Sequence, residues 1–484
     1  MTTATAKPLA SPAVPRGVLA ALGLATLLAS LGTSIANVGL PTLAQAFGAS
    51  FQQVQWVVLA YLLATTTAVV GVGRLGDVLG RRRLLLAGLA LFTGASLLCA
   101  LAPSLPWLVA ARALQGLGAA AMMALSMALV ADAVPPERTG RAMGLLGTLS
   151  AVGTALGPTL GGALIAGWGW PGLFAVNLPL GAAAWWLARR TLPADRIGAG
   201  TQRPRFDIAG MMLLAATLAA YALAMTLGHG RFGMLNGALL AGALLGLVLF
   251  IHLQRGAGRR GVAAMVPLAL FQGPAVGAGF AMSALITTVV MATLVVGPFY
   301  LAGALGLAPA QVGLAMSCGP LVSALAGVPA GRLVDRLGTQ STVVAGILAM
   351  AAGAVLMVLL PGVWPALGVS GYVAPLVVLT AGYALFQAAN NTAVMAGVGA
   401  PRGVASGLLN LSRNLGLVTG ASAMGAVFAW GAGVQAGQGA AMAQPGAVLA
   451  GLQATFGMAA VLVMGALAIA LVAARSQREP RAVR

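Results

Sequence analysis

Hydrophobic positions along this chain collect into stretches about 20 residues long, separated by short polar segments. An α-helix rises about 1.5 Å per residue and a bilayer core is about 30 Å thick, so about 20 apolar residues make one crossing. Fourteen such stretches occur, at approximately 16–40, 54–72, 84–102, 106–131, 141–166, 172–188, 208–228, 234–253, 275–301, 311–331, 341–361, 372–396, 403–430 and 450–474. With ends placed to about four residues, the pattern predicts an all-α polytopic membrane protein with fourteen transmembrane helices.

Composition points the same way. Of 484 residues, 60% are hydrophobic and 7% charged, whereas a soluble domain carries about 25% charged residues. The formal net charge of +19 raises nucleic acid as a partner, but the positions of the basic residues argue against it. With the N-terminus inside, Lys7, Arg16, Arg81 to Arg83, Arg138, Arg141, Arg189, Arg190, Arg196, Arg203, Arg205, Arg255, Arg259, Arg260, Arg402 and the tail from Arg475 all fall on the cytoplasmic side, and Arg231 alone falls outside. This positive-inside bias predicts an even helix count, two cytoplasmic termini and a multi-pass protein of the plasma (inner) membrane. Residues 1–15, rich in Ala, Pro and Thr, are expected to be disordered, and the apolar run after Arg16 is too long for a signal-peptide core. Cys99 and Cys318 stand singly in apolar segments without metal-ligand spacing.

The segment Gly73-Arg-Leu-Gly-Asp77-Val-Leu-Gly80 recurs as Gly331-Arg-Leu-Val-Asp335-Arg-Leu-Gly338, 258 residues on (331 − 73). Laid on the apolar segments, the duplication assigns six helices to residues 16–190 and six to 275–474, with a cytoplasmic linker and inserted helix pair in 191–274 and a tail at 475–484.

Four motifs carry a family resemblance over nearly the whole chain. Gly73 to Arg83, with Asp77, Gly80, Arg81 and Arg82, resembles the helix 2/3 loop signature of the major facilitator superfamily. Arg112-Ala-Leu-Gln115-Gly116-Leu-Gly118 resembles its helix 4 motif, and Gly153-x3-Gly157-Pro158-x2-Gly161-Gly162 its helix 5 antiporter motif. Leu31 to Pro41 is similar to the helix 1 signature of the fourteen-helix drug/proton antiporter branch. The resemblance implies a major facilitator fold, two six-helix bundles plus a two-helix insertion, working by alternating access with a proton gradient as energy source and no cofactor.

Such a transporter needs bundles that meet on small residues and breakable contacts. Gly73, Gly76 and Gly80 are expected to allow close helix approach, while Asp77 and Arg81, four apart, can form a pair that breaks as the bundles separate. The resemblance adds Arg112 and Asp132 to these coupling candidates, and Asp335 occupies the place of Asp77 in the second repeat. The plainer reading is that these charges cap a tight loop. Gly153, Gly157 and Gly161 lie four apart on one helical face beside Pro158, which suits a hinge packed on a neighbour; the resemblance implies a seal against leak.

Ionisable groups within a membrane are functional candidates. Arg413 falls near the midplane of the segment at 403–430, close to Asn410, and Tyr383, Gln387, Asn390 and Asn391 can share one face of the segment before it. Asn37, Trp56, Tyr61, Met122, Phe299 and Phe386 complete the candidate substrate-binding set. For the aromatics, simple packing or interfacial anchoring is the ordinary alternative, and for the arginines and amides, satisfaction of backbone carbonyls.

All seven acidic residues, Asp77, Asp132, Glu137, Asp195, Asp207, Asp335 and Glu479, lie away from mid-membrane. The branch has an Asp in helix 1 where this chain has Gly32, and after helix 6 the branch's Trp-Arg-Trp-x-Phe reads Trp170-Pro171-Gly172-Leu173-Phe174. Embedded arginines without an embedded acid favour neutral or anionic substrates. The expected function is proton-coupled efflux of drugs or small amphipathic metabolites, with proton-independent exchange or export of organic anions as the alternative. An integral-membrane enzyme or sensor is remote, since the chain offers no catalytic triad or metal set. The expected partners are the lipid bilayer and a small-molecule substrate, with the protein a monomer.

Overall fold

A computed structural model describes residues 16–133, 136–195, 207–227, 233–257, 274–397, 402–433 and 444–478. The expected disorder of residues 1–15, and the side chains of Asp77 and Asp132, lie outside the described residues. Among those described, the chain holds helices and no strand. In order they are α1 (Arg16–Val38), α2 (Leu40–Ala46), α3 (Phe51–Leu79), α4 (Arg81–Ala100), α5 (Leu105–Ala133), α6 (Pro136–Trp168), α7 (Gly172–Ala175), α8 (Asn177–Thr191), α9 (Ile208–Thr226), α10 (Met234–Arg255), α11 (Pro274–Phe299), α12 (Pro309–Leu337), α13 (Thr339–Val363), α14 (Gly368–Gly397), α15 (Arg402–Thr419), α16 (Gly425–Gly431) and α17 (Pro445–Arg478). Single π-helical turns at Tyr300–Ala304 and Gly420–Met424 extend α11 and join α15 to α16. Among the described residues, 11 helices are long and apolar enough to cross a membrane.

One segment departs from its expected shape. The stretch at 172–188 is divided into α7 and α8 by a turn at Val176. Pro179 supplies the reason: it has no N–H to give the Ala175 carbonyl four residues back, and its ring crowds that carbonyl.

The duplication extends to the helix ends. Phe51–Leu79 and Pro309–Leu337 start and stop 258 residues apart (309 − 51, 337 − 79). Each begins with a glutamine three residues past its cap, Gln53 Oε1 accepting from Ser50 N at 2.8 Å and Gln311 Oε1 from Ala308 N at 3.1 Å. Each ends at a glycine with positive φ, Gly80 at 99° and Gly338 at 79°, a backbone conformation that L side chains rarely adopt. The last glycine of the repeated motif is therefore required by the turn it makes.

Packing repeats as well. In the first bundle α3 and α4 lie on α5, and α1 on α6 and α8; in the second α12 and α13 lie on α14, and α11 on α15 and α17. Water-driven burial is absent between helices in lipid, so small residues that let backbones touch do the joining. A methyl group on Gly118 of α5 would lie 2.8 Å from the Gly88 carbonyl oxygen of α4, and one on Gly382 of α14 would lie 2.7 Å from that of Gly346 of α13. The pair α9 and α10 pack on each other, tied where α9 begins by Asp207, which accepts from Gly210 N at 3.0 Å and from Gln254 Nε2 of α10 at 2.8 Å. Gly118→Leu is expected to force α4 and α5 apart and to destabilise the protein by roughly 1–3 kcal/mol, read as a lower melting temperature in detergent; an unchanged melting curve would mean the contact is not needed.

Candidate functional site

Successive long helices run in opposite directions, so their connections alternate between two faces. The near face holds the start of α1 and the turns at Gly80 and Gly338; the far face holds α2, the α4–α5 turn, the α6–α7 turn and the α11–α12 connection. Both bundles meet along α6 and α12 and along α3, α15 and α16.

The far-face end of this interface is closed by aromatic rings from three helices. Phe51 of α3 packs edge-on to Phe299 of α11 at 4.6 Å and against Phe428 of α16 at 4.8 Å between ring centroids. All three rings are buried. Phe299, a candidate for substrate binding, thus occupies a seam between the bundles.

The antiporter-motif glycines make two different contacts. Those on one face seat α6 on α1: a methyl at Gly153 would lie 2.5 Å from the Leu27 carbonyl oxygen, one at Gly157 would overlap Ser34, and one at Gly161 would lie 2.6 Å from Val38. Ser30 and Ser150 hydroxyls pair across the same contact at 2.7 Å. Pro158 and Gly162 turn to the other bundle. Gly313 of α12 abuts the Pro158 carbonyl, a methyl at Gly162 would lie 2.6 Å from the Pro309 carbonyl oxygen, and the Thr159 and Ser317 hydroxyls hydrogen-bond between bundles.

Arg112 is fully buried. Its Nε donates to the Val57 carbonyl at 2.8 Å, its Nη1 to the Gly32 carbonyl at 3.1 Å and to Gln115 Oε1 at 2.5 Å, and Gln115 passes the chain on to Ser96 Oγ at 2.7 Å. The guanidinium carbon stands 4.3 Å from the Tyr61 ring centroid, and the Tyr61 hydroxyl donates to the Ala29 carbonyl at 2.8 Å. The network joins α1, α3, α4 and α5. It holds the charge through carbonyls, an amide and a ring face, where helix 1 of the branch would supply a carboxylate.

At the near face the signature loop is clasped from a distance in sequence. Asp195, just beyond α8, accepts from Arg82 N at 2.8 Å and Arg83 N at 3.1 Å, capping α4. In return, Arg82 Nη2 donates to the Arg189 carbonyl at 2.6 Å. Arg81 Nη1 reaches the Ala128 carbonyl of α5 at 3.4 Å. Of the glycines expected to allow close approach, Gly76 does so against Leu125, whereas no described residue lies within 4 Å of where a side chain at Gly73 would point. Asp335 is exposed near the corresponding turn of the second repeat.

Among the described residues the substrate candidates fall in several places. Tyr383 lines an interior cavity of about 90 Å³ with Tyr372, Thr293, Ser323 and Thr380, facing Thr154 of the first bundle. Gln387 donates to the Tyr383 hydroxyl at 3.1 Å. Arg413 Nη2 donates to Asn391 Oδ1 at 3.0 Å, and Asn390 Nδ2 to the Gly279 carbonyl at 3.1 Å; Asn410 is half-buried on α15. Phe386 is buried where α14 meets α13, and Met122 and Asn37 are buried in the first bundle. Trp56 points to the flank, donating to Thr226 of α9 at 3.1 Å beside a broad groove of about 1070 Å³ between α3, α5 and α9. Ligand pockets run about 300–1,000 Å³, so the interior cavity in this conformation is too small for a drug-sized molecule, and the larger space lies on the flank.

Sequence reading missed Asp195, Gln115, Ser96 and Thr154. Gln115 sits inside a motif already marked, so its neighbourhood was findable; Asp195 acts on residues 112 and 113 positions away, for which one sequence holds no signal.

A model of the Major Facilitator Superfamily matches residues 22–421. The chain belongs to that superfamily of secondary transporters and is not an enzyme. It is 32% identical over 415 residues to the multidrug resistance protein Stp of Mycobacterium tuberculosis, covering 85% of this chain and 75% of the relative. It is 30% identical over 414 residues to the riboflavin transporter RibZ of Clostridioides difficile, covering 85% and 88%. Among solved structures, a bacterial homologue of the human lysosomal transporter Spinster matches with a TM-score of 0.67 at 16% identity over 96% of this chain and 98% of that one, a likeness of fold.

Asp195→Ala is expected to cost about 1 kcal/mol through loss of the α4 cap, lowering the melting temperature, while Asp195→Asn, whose single amide oxygen replaces one of the two accepting carboxylate oxygens, should recover about half of it. Equal melting of the two variants would remove Asp195 from the clasp.

Proposed function

We propose that this protein is a proton-coupled exporter of amphipathic small molecules, of the fourteen-helix drug/proton antiporter branch, acting as a monomer in the plasma (inner) membrane with its near face and both termini in the cytoplasm. The observation that carries the reading is the double contact of the antiporter motif: Gly153, Gly157 and Gly161 seat α6 on α1, while Pro158 and Gly162 press α6 against α12 of the opposite bundle. One helix face holds the bundle rigid and the adjoining one forms a seam without side-chain bulk, which suits rocking without leak. The names of Stp and RibZ support export or movement of amphipathic compounds. The fourteen spans are the 11 long apolar helices together with α3, α8 and the run from α15 to α16.

In this reading Tyr383, with Gln387 bonded to it, forms the substrate wall opposite Thr154, and Asn390, Asn410 and Arg413 join it in another conformation of the cycle. Asp77 and Asp132, near the cytoplasmic face by position, are the titratable groups available for coupling, and Gly73, Gly80, Arg81, Arg112 and Asp335 belong to the same machinery. A second reading, exchange of organic anions without protons, is favoured by Arg112 and Arg413, whose hydrogen bonds among the described residues run to carbonyls and amides and to no carboxylate.

Efflux of cationic, neutral and anionic compounds from expressing cells, with and without a proton gradient, separates the two. Gradient-dependent export that falls about tenfold or more in Asp77→Asn is expected. Gradient-independent movement of anions alone, abolished in Arg413→Ala, would replace the first reading with the second.

A further inference from the structure

Gln52 and Gln55 stand three residues apart on α3, 2% and 1% exposed. Among the described residues, neither nitrogen nor oxygen of either amide has a hydrogen-bond partner. Such groups are rare in protein interiors because each forfeits the hydrogen bonds it would make with water. Their place in the fold is the closed far-face seam. Phe51, the residue before Gln52, packs on Phe299 and Phe428 of the opposite bundle. Gln55 lies directly against Gly425 of α16, where any side chain would overlap its amide. At about 100° per residue, Phe51, Gln52 and Gln55 fall within about 100° of one another on α3.

The other buried positions of the same stretch, Val54, Val57 and Val58, are apolar. A seam meant to stay shut would continue that pattern. The two amides are unsatisfied while the bundles touch here, and separation of the bundles would let water reach them. We infer that Gln52 and Gln55 set the balance between closed and open far face by penalising closure, against the adhesion supplied by the three phenylalanine rings. They are positioning residues of the transport cycle, and the assignment holds whatever the substrate and whatever the coupling ion.

The test reads populations and not flux, so it is independent of the coupling proposed above. Nitroxide labels at Gln45 and Ala366, exposed at the far face on opposite bundles, are measured by pulsed electron spin resonance in lipid nanodiscs, in a background with Cys99 and Cys318 replaced. Gln52→Leu with Gln55→Leu is expected to lower the ratio of open to closed far face about tenfold. Gln55→Glu, which buries a charge on closure, is expected to raise it. Should the double variant fail to fold, Gln55→Glu decides alone. Unchanged distance distributions, or a shift toward open in the leucine variant, would overturn the assignment.

Discussion

The bilayer offers no hydrogen bonds, and most of this structure follows from that one deficit. Backbone groups are satisfied within helices. Hydroxyl groups in the membrane turn back onto their own helix, as Thr26 does to the Leu22 carbonyl at 2.9 Å, Thr66 to Leu62 at 2.6 Å, Thr287 to Ser283 at 2.7 Å and Thr455 to Gly451 at 2.8 Å. Arg112 obeys the same rule at larger scale by drawing carbonyls from α1 and α3. Because those carbonyls come from two helices, the guanidinium also locks the first bundle together. A charge usually regarded as a liability in lipid becomes the fastening of one rigid body.

The deficit also explains the contrast between contacts inside the bundles and those between them. Inside, helices meet backbone to backbone at Gly88 and Gly118, at Gly346 and Gly382, and along Gly153, Gly157 and Gly161. Between bundles, Gly162 and Gly313 meet the opposite backbone as closely, and three phenylalanine rings and a hydroxyl pair add to the seam. Such contacts exchange readily for lipid or water, because they hold few hydrogen bonds that separation would break. A transporter needs rigid halves and a reversible seam, and here the hydrogen bonds of Arg112 fasten the first bundle while glycines, rings and a hydroxyl pair form the described seam.

The near-face clasp and the inserted pair both bear on the first bundle. Asp195, which caps α4, is the last described residue before the linker to α9. At the other end of the insert, α9 touches α3 through Trp56 and Thr226 and also packs against the π turn of the second bundle. The insert therefore lies across the line between the bundles, tied to the first bundle where α9 ends.

What the amino-acid sequence determined by itself was everything set by local period and by duplication: the apolar segments, their membrane-spanning length, the 258-residue repeat and the glycine faces of the antiporter motif. These are legible because hydrophobic length and helical spacing act over neighbouring residues. Only the tertiary structure decided where those faces point. Phe299 went to a seam and not a pocket, Trp56 to the flank, Gly76 to a contact with Leu125, and Asp195 to a helix start 112 positions away. Each of these depends on which helices become neighbours. That is settled by the summed fit of many small-residue contacts across the fold, which no single stretch of sequence records.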